Sequence, residues 1–504
     1  MLRGSRRGRG GAGAARMIAL AAFAMATLSA TSYAAEIAGN GRIGAGAGSA
    51  TMEGALIQSY QNNPQLNAQR SATRAADENV PTALAGYRPR VSGAASLTEN
   101  YLDTTSRNPA LGTTTTSPPT PPANFPLYTR NFGATAVSTA GLTVTQTLLN
   151  GFQTGNRTRQ AEGLVFASRE TLRTTEQTVL LNAATAYMNL LQTAALLELQ
   201  RSNVNVLEVT LRQTRDRFTA GEVTRTDVAQ AESSLAAGRS QLSLAESNYV
   251  TAQAQYQQVI GVPAPTRQAP ATPVDRLSPR TMDGAIARGR SEHPTILTAM
   301  YNVDAAVDQV KIAEGALAPT LAAVGSVQKS FGSTQSLAVI ESLSASVAAQ
   351  LTVPIYQGGA EYSAIRQSKE TLGQRRLDLD TARDQVQSAV IQAWGQLEAA
   401  KAQINATQAQ VTSAEVALNG VREEARDGQR TTLDVLNAQQ ALVTARSALV
   451  TAQRDRVVAS YTVLAAVGSL SPQILGLKIP VYDPVVHYQQ VRDAWGGVRT
   501  PDGR

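Results

Sequence analysis

The sequence predicts an α+β chain built as an internal tandem repeat, with very long helices, four β-strands and no closed fold until several copies meet. Three observations carry that prediction: where proline is missing, a helical face that recurs at a fixed offset, and four segments of strict alternation. Of the 21 prolines in 504 residues, none falls in 127–262 or 355–471, which together make up half the chain. Proline inside a helix costs about 3 kcal/mol, so Pro-free tracts rich in Ala, Gln, Leu, Arg and Glu point to long helices. In the first tract Val179, Ala183, Ala186, Tyr187, Leu190, Ala194 and Leu197 share one helical face. The face returns 207 positions later as Val386, Val390, Ala393, Trp394, Leu397, Lys401 and Ile404.

The first 34 residues read as a secretory signal peptide. Residues 1–16 are Arg- and Gly-rich, 17–28 form the short apolar run MIALAAFAMATL, and Ser32-Tyr33-Ala34 supply a small-residue cleavage site. The run is shorter than the roughly 20 apolar residues a bilayer-spanning helix needs. A disordered Arg/Gly-rich tail is the alternative. The segment also carries five Arg and no acid, so the formal +7 falls to +2 without it. Nucleic-acid binding loses its support there. With no Cys, disulfides, thiolate nucleophiles, Cys-bound zinc and an N-terminal lipid anchor are excluded. Only His293 and His487 are present, His293 before Pro294 at a helix start and His487 in the tail, and neither suggests a site. No nucleophile elbow, zinc-binding His pair or phosphate loop occurs, so no enzyme, cofactor or metal centre is expected.

After a disordered segment at 35–50, the two repeats are expected at 51–262 and 281–470, with a linker at 263–280 and a tail at 471–504. Residues 54–89 align without gaps on 284–319 at an offset of 230, with Gly54/Gly284, Pro64/Pro294 and Pro89/Pro319 identical. Beyond the strands the offset is 207, matching Gly221 to Gly428, Asp227 to Asp434 and Gly261 to Gly468. The difference of 23 residues is the Thr/Pro segment 104–126, read as an inserted loop of low complexity. Pro89 and Pro319 end helices ahead of strands. Strands are expected at about 91–101, 131–146, 321–331 and 342–353, each apolar on one face and small or polar on the other. That pattern suits transmembrane β-strands and equally an ordinary half-buried sheet. Tyr101, Phe132 and Phe331 stand where interfacial aromatics would sit if the strands span a membrane. Four strands cannot close a membrane barrel, and unpaired edges are not tolerated in lipid, so spanning strands require several copies to share one barrel. A helix over 151–218 would be about 100 Å long, a length suited to the wall of an oligomeric tube. Tyr187 and Trp394 are read as packing anchors on the helical stripe.

These blocks resemble the TolC-type outer-membrane efflux protein family. The resemblance rests on the paired segments ALIQSYQNNPQL and AIARGRSEHPTIL, the junctions LTVTQTLLNGFQTG and LTVPIYQGGAEYSA, and the turns RFTAGEVTRTDVAQAE and ARDGQRTTLDVLNAQ. It implies an α+β membrane protein of the outer membrane: a homotrimer with a shared transmembrane β-barrel and a long α-helical barrel in the periplasm. It also implies a periplasmic adaptor and an inner-membrane transporter of ABC or RND type as partners, with outer-membrane lipid around the strands. The expected function is the exit duct of a tripartite export system for small molecules or secreted proteins. An exported structural coiled-coil protein is the alternative, though it leaves the duplicated strand blocks unexplained.

Gly221 and Gly428 sit where long helices must reverse, and glycine supplies the left-handed backbone such a stop needs. Thr226-Asp227 and Thr431-Thr432 are expected to cap the returning helices. By resemblance these turns form the periplasmic tip, with Gly221, Val223, Thr226, Gly428 and Thr431 facing the adaptor. Arg430 and Asp227 match a family link that holds the entrance closed, and Asp434 matches an inward carboxylate ring. Asn437 stands at the next ring position and Ala425 where the family has a linking Tyr, which weakens the expected gate. Gly151, Pro354, Gly358 and Gly359 mark the strand-to-helix swivels.

Overall fold

A computed structural model describes residues 50–107, 128–332, 341–501 and 503. The expected leader, nearly all of 35–50 and most of the 104–126 segment lie outside the described residues. The elements run α1 (Met52–Asn62), α2 (Pro64–Asp77), α3 (Asn79–Leu84), β1 (Arg90–Arg107), β2 (Tyr128–Asn150), α4 (Gln153–Thr219) and α5 (Arg225–Ile260). They continue as α6 (Met282–Glu292), α7 (Pro294–Gly315), β3 (Thr320–Gly332), β4 (Glu341–Thr352), α8 (Ala360–Arg426), α9 (Thr432–Ala466) and α10 (Pro484–Val491).

Both α4 and α8 contain 67 residues and begin 207 positions apart. At about 1.5 Å per residue each is about 100 Å long. The helix α5 returns along α4 and α9 along α8, while α7 lies against both α4 and α8. Cross-helix pairs recur at the same offset: Arg239 to Glu208 at 2.9 Å and Arg446 to Glu415 at 2.7 Å. Exposed pairs of this kind stabilise by about 0–1 kcal/mol, so they fix register more than they hold the helices together.

Apolar burial concentrates midway along the long helices. Leu180, Ala183, Tyr187 and Leu190 of α4 pack with Leu56 of α1, Tyr256 and Ile260 of α5, and Tyr461 and Leu464 of α9. The matching stripe of α8 (Val386, Val390, Ala393 and Leu397) meets Ala285, Ile296 and Val463, with Trp394 at its margin. Both sequence-read faces are therefore core faces, and Tyr187 and Trp394 pack as expected. Lys401 leaves the stripe and bonds Glu398 at 2.7 Å, while burial continues through the neighbouring Ala400.

One local difference separates the halves before the strands. Pro81 lacks an N–H, and its ring crowds the carbonyl four residues back, so α2 stops at Asp77. Lys311 occupies the matching position in α7, which runs unbroken for 22 residues.

The four strands form one antiparallel sheet in the order β1-β2-β3-β4. The first two are longer than the alternation suggests. They pair from Arg90↔Thr145 to Arg107↔Tyr128, so residues 104–107, expected to open a loop, complete a hairpin ladder. β2 continues past a bulge between Thr147 and Leu149 to reach Asn150.

Tyr187 is fully buried. Its hydroxyl lies 2.6 Å from the Ala269 carbonyl and 2.9 Å from that of Ala50, which fastens the linker and the start of α1 to α4. Tyr187→Phe should cost about 1 kcal/mol through the lost hydrogen bond, and Tyr187→Ala about 3–5 kcal/mol through the cavity. Thermal unfolding of the detergent-solubilised protein should rank them in that order.

Candidate functional site

The two faces of the sheet differ in chemistry. The register Val91↔Val144, Leu142↔Val327 and Gly325↔Val347 gathers Val91, Leu97, Tyr101, Leu142, Val144, Val327, Leu343, Val347 and Leu351 on one face. All of them are exposed, Val347 at 90%. The other face carries cross-strand hydroxyl pairs: Ser96 with Thr139 at 2.7 Å, Ser326 with Ser346 at 2.8 Å and Ser330 with Ser342 at 2.6 Å. A half-buried soluble sheet turns its apolar face to a core. Among the described residues no helix packs broadly on either face, so the apolar side has no core to meet. That arrangement favours membrane-type strands over an ordinary sheet. Exposed aromatics mark both ends, Tyr101, Tyr128, Phe132 and Phe331 at one and Tyr87, Phe152 and Tyr356 at the other. Among the described residues the outer edges of β1 and β4 have no strand beside them.

The strand-to-helix junctions recur at an offset of 207 but are not equivalent. Gly151 (φ +61°) and Phe152 (φ +59°) occupy the left-handed region, as do Gly358 (φ +73°) and Gly359 (φ +86°). Phe152 thus holds a conformation that costs a non-glycine residue about 1–2 kcal/mol. At Gly151 an added Cβ would lie 2.4 Å from the Gly315 carbonyl oxygen, so the first junction is wedged against the end of α7. Nothing stands within 4 Å of such a Cβ at Gly358 or Gly359. Pro354 follows the end of β4 at Thr352, whereas Thr147 at the matching place allows β2 to continue.

At the far end, each long helix stops on a left-handed glycine, Gly221 (φ +81°) and Gly428 (φ +76°). The next amide reaches back to the helix in both turns, Glu222 to the Arg217 carbonyl and Gln429 to the Glu424 carbonyl, each at 2.9 Å. The first returning helix is capped by Thr224, two residues before the expected Thr226, which instead lies exposed inside the first turn. The Thr224 hydroxyl donates to Asp227 Oδ2 at 2.7 Å and its backbone N–H donates to the same oxygen at 2.9 Å. Thr431 and Asp434 repeat this box at 2.8 and 3.0 Å. The signal T-x-x-D stands in both turns and was available to a sequence reading. These bonds hold both carboxyl groups below the usual carboxylate range, Asp227 chiefly through the Thr224 hydroxyl and Asp434 chiefly through the Thr431 amide.

Arg430 bonds Glu424 at 2.8 Å in the protomer, which keeps its guanidinium firmly charged. The protomer therefore places Arg430 on Glu424 and Asp227 on Thr224, and does not bring Arg430 and Asp227 together. In the first turn Arg217 occupies the position of Glu424, so the helix-side charge is reversed, and it pairs with Glu222 at 3.0 Å. Asn437 is exposed, Val223 half-buried and Ala425 buried.

Two residues set aside in the sequence have structural partners. His293 caps α7, its Nδ1 accepting from the Thr295 amide at 3.2 Å, and burial pushes its pKa down. His487 Nδ1 lies 2.9 Å from Oδ2 of Asp77, a fully buried carboxylate. No group of His, Asp and Glu among the described residues is arranged to hold a metal ion.

The outer membrane efflux protein family model matches residues 56–262 and 286–469. The chain is 40% identical to the outer membrane efflux protein BepC of Brucella suis over 456 residues, covering 90% of this chain and 93% of that one. It is 24% identical to the outer membrane protein TolC of Escherichia coli, covering 62% and 66% of the two chains. The fold is similar to that of the solved outer membrane protein VceC of Vibrio cholerae, with a TM-score of 0.66 at 18% identity over 83% of this chain and 96% of that one.

Thr224→Ala should weaken its helix start by about 1 kcal/mol, seen as faster amide exchange at Asp227. A carboxyl whose pKa is lowered on folding adds stability that is present above its unfolded value and lost as pH falls through the folded one. Protection of the Asp227 and Asp434 amides should therefore be unchanged from about pH 7 to about pH 5 and fail only below the ordinary carboxylate pKa of about 3.9. Faster opening already at pH 5 would contradict the caps.

Proposed function

Because the chain belongs to the outer membrane efflux protein family, we propose that it is the outer-membrane exit duct of a tripartite export system, acting as a homotrimer of a duplicated unit. The observation that carries this reading is a sheet with a bare apolar face and two open edges, joined to helices about 100 Å long. Backbone groups left unpaired in hydrocarbon cost several kcal/mol each, so β1 of one copy pairs with β4 of the next. Four strands from each of three copies give a barrel of 12, within the range of outer-membrane barrels. From Val91 to Tyr101 the strand extends about 34 Å at about 3.4 Å per residue. Tilted by about 40°, it rises about 26 Å, the height of an outer-membrane apolar band.

Below the membrane the paired helices α4–α5 and α8–α9 of three copies form the periplasmic tube. An adaptor docks at the tip turns around Gly221, Val223, Thr226, Gly428 and Thr431 and links the tube to an inner-membrane transporter of ABC or RND type. Cargo, small molecules or secreted proteins, passes down the bore without bond chemistry. At the tip three Asp434 carboxylates ring the axis beside Asn437, and Arg430 exchanges Glu424 for Asp227 to hold the entrance narrow.

Outer-membrane fractionation, a heat-sensitive trimer on gels and single-channel recording test the duct. Asp227→Ala and Arg430→Ala should each raise single-channel conductance in planar bilayers. Thr224→Ala loses the same cap but keeps the Asp227 charge, and should leave conductance unchanged. Unchanged conductance in all three variants would remove the latch from the reading.

A further inference from the structure

The tail after α9 follows a fixed track along the first half of the chain. The Tyr482 amide donates to the Tyr60 hydroxyl at 3.2 Å, and Arg70 is sandwiched between the two rings. Further on, His487 meets Asp77 at 2.9 Å, and Tyr488 reaches Glu162 at 3.4 Å. The track ends where Arg88 donates to the Ala494 carbonyl at 2.5 Å and lies 4.7 Å over the Trp495 ring. Partners thus rise in step, from 60 with 482 through 77 with 487 to 88 with 494–495, and so the tail climbs toward the foot of β1 at Arg90. The track exists in one half only. Tyr60, Asp77 and Arg88 correspond to Arg290, Val307 and Ala318, and Glu162 to Lys369.

Trp495 is 75% exposed under Arg88, the residue after the exposed Tyr87, which lies at the same end of the sheet as Phe152 and Tyr356. Nothing in a periplasmic role explains an indole carried some 30 residues past the last long helix and then left bare. An amphipathic ring with a flanking Arg is what the interface of a bilayer retains, the ring at headgroup depth and the guanidinium toward water. The apolar face of the sheet begins at Val91, three residues after Arg88. We propose that residues 482–495 are a membrane-interface clasp, which Arg88 holds so that Trp495 enters the phospholipid headgroup layer of the periplasmic leaflet.

This rests on the outer-membrane reading above, and the test separates the two. Trp394→Phe leaves Trp495 as the sole tryptophan. Reconstituted in phosphatidylethanolamine–phosphatidylglycerol vesicles, it should lose emission to lipids brominated near the headgroup and little to lipids brominated at the chain ends. Adding Arg88→Ala should remove that loss. If Trp394→Phe does not assemble, the difference in emission between the unaltered protein and Trp495→Phe gives the same reading. A sheet reporter, Val347→Trp with Trp394→Phe and Trp495→Phe, serves as control. Quenching of the sheet reporter with Trp495 unquenched overturns the clasp alone; no quenching of either overturns both readings.

Discussion

A backbone amide in hydrocarbon has no water to bond, and the rest of this molecule is arranged around that constraint. The four strands satisfy one another internally but leave β1 and β4 each with an open edge. Every residue of β4 is exposed. In water such an edge invites indiscriminate pairing, and in lipid it is forbidden. In the proposed trimer both conditions are met, because copies of the chain supply each other's missing neighbours, and assembly and membrane insertion become two descriptions of one event. Burial along the helices is uneven: the mid-length core is the largest, and toward the tips it shrinks to smaller clusters around Leu207 and Leu235 in one hairpin and Val411 and Leu442 in the other.

Much of this was legible in the sequence, because the periods involved are short. Val179 to Leu197 announce a helical face by local spacing, and the strand segments announce two faces by alternation. What alternation leaves open is which face meets water and which meets lipid. The register carries each face across the whole sheet, bringing Val91, Val144 and Gly325 to one side and Ser96 and Thr139 to the other. The cap at Thr224 was also visible as T-x-x-D, and the nearer pair Thr226-Asp227 drew the reading away. By contrast, the bond between His487 and Asp77 joins residues 410 positions apart. A single sequence offers no local signal for it, nor for the wedge of Gly151 against Gly315.

Differences between the halves are as informative as their likeness. Pro81 breaks α2 where α7 is continuous, and the break falls at Asp77, the carboxylate that receives the tail. Phe152 accepts a strained backbone where the other half has Gly359. Each departure occurs where the first half makes a contact the second does not: a tail laid along it, and a helix end pressed into its junction. The common offset of 207 gives the two halves one frame, and contacts made by one half alone account for these departures.

The equal lengths of α4 and α8 act as a ruler. In the proposed tube both walls must end at one height, or their turns would not form a common rim, so a residue deleted from one helix has to be matched in the other. The return helices impose a second rule. Removing one residue rotates everything beyond it by about 100°, which carries the buried stripe to the surface. Length can therefore drift only by paired steps of about seven or eleven residues, the intervals that restore the helical face. Among relatives, the height of such a duct should vary in discrete steps.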